Sequence, residues 1–212
     1  MKDEILGKLG SPAYKEYAAD IHEMVNDILD FSRIEAGVIE ASPAPFDIHK
    51  ETSRTIHLVQ RMAWEKHLQI GIKCDWEPET STCLLNADIR LIRQALLNLV
   101  TNAIKFTTDG GWIEVGLKMD SDELVLSVAD SGRGISVEHV NKVTDAFFQV
   151  SEVMTRREGG VGLGLAIARS FAEANKGRLE ISSEVGVGTI VSMVFPSQLV
   201  VMADTSIRDS AA

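Results

Sequence analysis

The stretch WIEVGLKMDSDELVLSVADSGRG, residues 112–134, decides the fold. Trp112–Met119 and Glu123–Ala129 alternate apolar and polar residues, the period-2 pattern of half-buried strands. Only a short polar turn lies between them, so they read as a hairpin. Asp109-Gly110-Gly111 just upstream is a second turn. A doubly wound parallel sheet needs a helical crossover after each strand, and this stretch has none.

Outward from the hairpin, helices and strands mix without strict alternation. Asp88 to Phe106 is a helix with Ile89, Ile92, Ala95, Leu96, Leu99, Val100 and Ala103 on a wide apolar face. A second helix runs from Asp47 to about His67, with Ile48, Ile56, Val59 and Ala63 inward. Leu68–Cys74 alternates like a strand, and a short strand falls near Cys83–Leu85. Downstream come a helix near Val137–Ala146, a polar stretch to Gly160, and a glycine-rich start to a helix ending near Asn175. Strands follow at Arg178–Ser183 and Thr189–Phe195, and the tail after Pro196 reads as loose. The pattern predicts a mixed sheet with helices on one face.

Residues 13–35 form the clearest helix, with Ser11 as cap and Pro12 in the first turn. Tyr14, Tyr17, Ile21, Met24, Ile28 and Phe31 follow at spacings of three and four, a heptad seam. Such a seam fits a helix packed on its own domain and equally half of a helical hairpin that pairs with a second chain. Ala36-Gly37 and Ser42-Pro43-Ala44-Pro45 break it. The boundaries therefore read as a helical segment 1–37, a linker 38–46, a main domain 47–197 and a flexible tail 198–212.

The formal net charge of -10 argues against nucleic acid or an anionic membrane as partner. Cys74 and Cys83 form no CxxC pattern, so neither a metal site nor a disulfide framework is implied. No apolar run is long enough to span a bilayer and no signal peptide opens the chain, so a cytoplasmic placement is expected, whether or not a parent protein is anchored. Nine of the 16 glycines fall between Gly132 and Gly188. Glycine is used where backbone approaches a ligand or takes positive φ.

Four segments carry chemistry. Asn98, Asn102 and Lys105 share one helix face. An amide oxygen suits Mg²⁺ without adding negative charge beside phosphates. A lysine one turn on offers a point charge to phosphate, although a polar solvent face explains the same spacing. Asp130, ahead of Gly132 and Gly134, fits an acceptor for an adenine amino group, and also an ordinary turn at a strand end. Gly160, Gly162 and Gly164 open a helix whose N–H groups and dipole favour an anion. They follow a polar stretch rather than a strand, so the dinucleotide fingerprint lacks its context. Arg156 and Arg157 lie just upstream, on a loop able to close over phosphates. Gly186 and Gly188 precede Thr189 in what reads as a hairpin.

In order and spacing these segments resemble the N, G1, G2 and G3 boxes of the histidine-kinase catalytic domain. That domain belongs with the gyrase, heat-shock ninety and mismatch-repair ATP-binding folds. Ala146-Phe147-Phe148-Gln149 resembles its F box. Ile28–Gly37 resembles the end of the dimerisation hairpin, and Gly7–Pro12 with Tyr14 and Tyr17 resembles the hairpin turn of alphaproteobacterial cell-cycle kinases. The resemblance covers roughly residues 5–197. It implies a two-layer α/β sandwich with a mixed sheet, preceded by a helical hairpin remnant, with ATP and Mg²⁺ bound under a lid of residues 149–160.

By matching motifs, Asn102 would ligand Mg²⁺ with Asn98 assisting, Lys105 would touch phosphate and Asp130 would read adenine. Thr189 would support Asp130 directly or through water. The glycines Gly132, Gly134, Gly160, Gly162 and Gly164 with Leu165 would line the nucleotide, as would Arg156 and Arg157. Ile104, Phe106 and Ile135 join Leu165 as candidates for the purine pocket.

The ATPase relatives carry a glutamate at the position of Asn98. An amide cannot serve as general base, so the site is built to position the γ-phosphate for an outside nucleophile. The family's phospho-accepting histidine, with its acidic neighbour and proline motif, has no counterpart here. His22 has Glu23 beside it but lies after the turn, without that motif. His49, His57, His67 and His139 also lack the context.

The expected partners are ATP and ADP, a phospho-acceptor histidine domain, a response regulator and a second copy through residues 13–35. Trp112, just after a Gly-Gly turn, adds cyclic di-GMP, which some related kinases bind on this domain; hairpin packing explains Trp112 as well. The other functional class is a non-catalytic module that binds nucleotide and transmits conformation. A hydrolysing ATPase is the third reading, and Asn98 counts against it.

Overall fold

Helix capping sets two of the helices that face the sheet. Asp47 accepts the backbone N–H of Lys50 at 3.0 Å and starts α2, Ile48–Glu65. Asp88 accepts the N–H of Arg90 at 2.9 Å and starts α3, Ile89–Phe106. The computed structural model describes residues 12–149 and 161–204. Around these helices lie α1 (Pro12–Glu35), β1 (Ala44–Asp47), β2 (Gln69–Cys74), β3 (Ser81–Ala87), β4 (Trp112–Asp120) and β5 (Glu123–Asp130). Then come α4 (Val137–Val140), α5 (Gly164–Ala174), β6 (Arg178–Glu184), β7 (Gly188–Pro196) and β8 (Val200–Asp204).

The main sheet has five strands in the order β2-β4-β5-β7-β6. Only β2 and β4 run parallel; the other pairs are antiparallel. A smaller sheet joins β1, β3 and β8. Alternation along β4 and β5 turns Ile113, Val115, Leu117, Leu124, Leu126 and Val128 inward, all at most 2% exposed. They meet Ile92, Leu96, Leu99 and Val100 of α3, and Ile167 and Phe171 of α5, in one core. Each fully buried side chain of this size contributes about 1.5–3 kcal/mol. The expected inner face of α2 is also the observed one, with Ile48, Ile56, Val59 and Ala63 buried.

Three expectations change. The stretch read as linker contains β1, whose Ala44–Asp47 pair with Leu84–Ala87 of β3. The tail read as loose continues as a 3-10 turn and β8, which pairs Val200–Asp204 with Ser81–Leu85. Both strands are short, and their partner lies far away in sequence. The helix expected over Val137–Ala146 stops after one turn at Val140. Beyond Val140 the chain runs on through turns, with Lys142 and Val143 N–H both bonding the His139 carbonyl, until Phe147 takes a left-handed φ of 64° and its N–H bonds the Gly162 carbonyl at 3.1 Å.

Helix α1 leaves Ile21, Met24 and Ile28 between 43% and 60% exposed. Its C-terminal end turns inward: Phe31 and Ile34 pack against the core, and Phe31 meets Phe147 edge-on at 5.5 Å between ring centroids. Among the described residues no helix is long and apolar enough to cross a membrane.

Asp88 holds several elements at once. Its side chain accepts from Ser42 N–H at 2.9 Å and from the Arg90 guanidinium at 2.7 Å, while its own N–H donates to Asn175 Oδ1 at 2.6 Å. The Arg90 bonds hold its carboxyl down at about 2 against an ordinary 3.8. A depressed carboxylate stabilises fully above the ordinary value, and that stabilisation is lost as pH falls through about 2. Asp88→Ala is expected to cost about 2–3 kcal/mol in urea unfolding at neutral pH. A loss within experimental error would remove this role.

Candidate functional site

The α3 helix brings Asn98, Asn102 and Lys105 to one side, as its period requires. The Asn98 amide donates to the Gly164 carbonyl at 3.4 Å, and Asn102 lies so close that a Cβ on Gly164 would stand 3.2 Å from its amide nitrogen. The two asparagines therefore face the first turn of α5. That turn begins at Leu163, which no side chain caps among the described residues, and a helix start offers N–H groups to an anion. Lys105 sets its ammonium 5.1 Å from the Phe106 ring centroid, and the Arg133 guanidinium approaches the same ring at 4.7 Å.

The end of α3 touches the turn after β5. The Phe106 carbonyl accepts Arg133 N–H at 3.4 Å, and a Cβ on Gly132 would stand 2.6 Å from that same oxygen. Gly132 N–H donates to Asp130 Oδ1 at 2.8 Å. Burial pushes the Asp130 carboxyl above its ordinary 3.8, opposed by bonds from the backbones of Gly132 and Thr189. A half-buried carboxylate held by two N–H donors is a ready acceptor for a further polar hydrogen.

Two glycines are fixed by close approach. Gly134 has φ 70°, and a Cβ there would fall on the Glu184 carbonyl. Gly188 has φ 142°, and a Cβ there would fall on the Asp130 carbonyl, its neighbour across β5 and β7. Gly162, at φ 75°, seats against the carbonyl of Phe148. The structure thus brings Asn98, Asn102, Gly164, Lys105, Gly132, Gly134, Asp130 and Thr189 into one connected group. Arg156, Arg157 and Gly160, and the expected lid apart from Gln149, lie outside the described residues. Ile104 is 3% exposed and belongs to the core; Phe106, Ile135 and Leu165 are half-buried.

Thr189 reaches Asp130 through its backbone rather than its hydroxyl. The hydroxyl lies 2.8 Å from Ser183 Oγ, which also accepts Ile135 N–H at 2.8 Å and donates to the Gly188 carbonyl at 2.9 Å. Ser183 was missed in the sequence. It sits on an edge strand, and its partners come from two other segments, so no local pattern marks it. Among the described residues no group of three His, Cys, Asp or Glu side chains gathers to cage a metal. The neutral amide oxygens of Asn98 and Asn102 fit Mg²⁺, which takes few protein ligands and completes its shell with water and phosphate oxygens. A cleft of about 520 Å³, lined by Asp120, Glu123, Arg178 and Glu180, lies at the β4–β5 turn, the opposite end of β5 from Asp130.

Known proteins resemble this chain in sequence and fold. Residues 87–199 match the family described as histidine kinase-, DNA gyrase B-, and HSP90-like ATPase. An uncharacterized sensor-like histidine kinase of Rhizobium meliloti is 33% identical across 98% of this chain and 40% of its own length. The cell-division control histidine kinase PdhS of Brucella abortus is 32% identical across 92% of this chain and 20% of its own. The chain thus spans well under half the length of these relatives. Among solved structures, full-length ShkA in complex with AMPPNP superposes with a TM-score of 0.73 at 29% identity, covering 95% of this chain and 42% of that one. With the match extending over more than half its length, the chain belongs to the histidine kinase-, gyrase B- and HSP90-like ATPase family.

Proposed function

We propose that this chain positions Mg-ATP for transfer of the γ-phosphoryl group to a histidine on another domain. Residues 47–197 form the catalytic domain in this reading, and residues 1–37 a partial dimerisation hairpin. The observation that carries it is Asn98. It stands on α3 facing Gly164, where the hydrolysing relatives place a glutamate, and it offers an amide in place of a base. The Asn98 amide cannot take a proton from water at that point.

Asp130 accepts the adenine amino hydrogen, and Gly132 and Gly134 let the purine lie against backbone. The start of α5 and Lys105 meet the phosphates. Asn102, with Asn98, would hold Mg²⁺, which would supply positive charge to offset the phosphates. The bond from the γ-phosphorus to the bridging oxygen breaks, a bond to the acceptor imidazole nitrogen forms, and ADP leaves. The exposed Ile21, Met24 and Ile28 seam favours pairing with a second copy. Trp112 is 48% exposed beside Ser131, which supports a cyclic di-GMP contact on the outer face of the sheet. A response regulator follows as recipient of the phosphoryl group in the parent protein's pathway.

Incubation with labelled ATP, Mg²⁺ and a separately prepared phospho-acceptor helical hairpin tests the reading. Label is expected on the acceptor histidine, with phosphate release at background. Sustained release without transfer would favour the ATPase reading. ATP binding with neither activity would favour the non-catalytic module.

A further inference from the structure

Lys66 belongs to none of the segments above, yet its side chain ends beneath them. It is the C-cap of α2, and it crosses to the C-terminus of α3. Its ammonium donates to the carbonyls of Ile104 at 2.8 Å, Lys105 at 3.0 Å and Thr107 at 3.1 Å. An ammonium has three hydrogens, and three acceptors take them. The last carbonyls of a helix have no partner within it, and they form the negative end of its dipole. One side chain therefore closes the end of α3, while its backbone ends α2 and accepts Gly110 N–H at 3.3 Å.

What the closed turn bears gives this bond set its consequence. Lys105 and Phe106 are its final residues. The Phe106 carbonyl meets Arg133 N–H and abuts Gly132, which in turn bonds Asp130. Fraying of this turn would move the ammonium of Lys105 and the seat of Gly132 together. We infer that Lys66 is a positioning residue of the nucleotide site, acting through the last turn of α3 on Lys105. The inference rests on the proposed reading of that site as an ATP site. A purely structural role would give Lys66 the same bonds, so the test needs a readout that stability alone does not move.

A double-mutant cycle supplies it, with ATP and Mg²⁺ affinity measured by calorimetry well below the unfolding temperature. Lys66→Met keeps most of the stem and removes the donors. It is expected to weaken ATP about tenfold in the unmutated chain and less than about threefold in Lys105→Met, because the two changes remove one shared function. Lys66→Arg, which restores donors and charge, is expected to recover most of the loss. Should Lys66→Met fail to fold, Lys66→Gln runs through the same cycle with the same signs. Unchanged affinity, or equal losses in both backgrounds, overturns the inference even if unfolding temperature falls. Absence of ATP binding in the unmutated chain overturns the site reading itself and is thereby told apart.

Discussion

Asp130→Asn is expected to weaken ATP about 100-fold and to leave the fold no less stable. The carboxylate already accepts backbone N–H groups of Gly132 and Thr189, and in the proposed reading it accepts the adenine amino group as well. A carboxylate has two acceptor oxygens, whereas an amide has one oxygen and an –NH₂. With an asparagine whose oxygen keeps the backbone bonds, the –NH₂ faces the adenine amino group in a half-buried place. Two factors of ten correspond to about 2.7 kcal/mol, within the range for losing a hydrogen bond to a charged group.

Stability moves the other way. Burial raises the carboxyl above its ordinary 3.8, so the ionised form opposes folding at neutral pH. That penalty fades as pH falls through the raised value, and a neutral amide removes it outright. The same shift gives a pH signature. Adenosine, which has no titrating phosphate, should bind more weakly as pH falls, beginning above the ordinary carboxylate range. The asparagine variant should show no such fall. Calorimetry with adenosine and ATP measures both, and equal affinity of variant and parent for ATP would take Asp130 out of the adenine site.

Gly188→Ala is expected to cost about 3–5 kcal/mol, combining left-handed strain with overpacking against fixed backbone. Its φ is 142°, and the added methyl would land on the carbonyl of Asp130. No side-chain rotation relieves that contact, because the obstacle is main chain on the neighbouring strand. The control is Gly186→Ala. Gly186 has φ 79° but open space around it, so only the backbone strain remains, about 1–2 kcal/mol. Urea unfolding of the two variants separates the terms; equal losses would mean that the approach of Gly188 to Asp130 is not what demands glycine there. Because the carbonyl in question belongs to Asp130, any Gly188→Ala protein that folds should also bind ATP less tightly.

The mixed sheet and its three main helices were legible because amphipathic periodicity is local. The inner faces of α2 and α3 could be read from spacing alone. Strands β1 and β8 were not legible, since each is short and gains its stability from a distant β3. The helix expected after Val137 is one turn long, and the bond that anchors the segment beyond it, Phe147 N–H to the Gly162 carbonyl, comes from a distant part of the chain that no window reveals. Within the candidate site, Asn102, Lys105 and Asp130, which the structure brings into one group, were singled out by motifs. Lys66 and Ser183 were not, because their significance lies in hydrogen bonds to residues far along the chain.

The register that sets Asp130 against Thr189 has a bearing on biosynthesis. A ribosome delivers α3 and β5 well before β7, so the emerging chain holds its asparagines and its acceptor carboxylate without the strand that completes their surroundings. In the proposed reading, nucleotide meets a complete site only after β7 has been made. Its stabilisation becomes available only when the last third of the domain has left the exit tunnel, and until then the exposed apolar faces of α2 and α3 rely on chaperones or on speed.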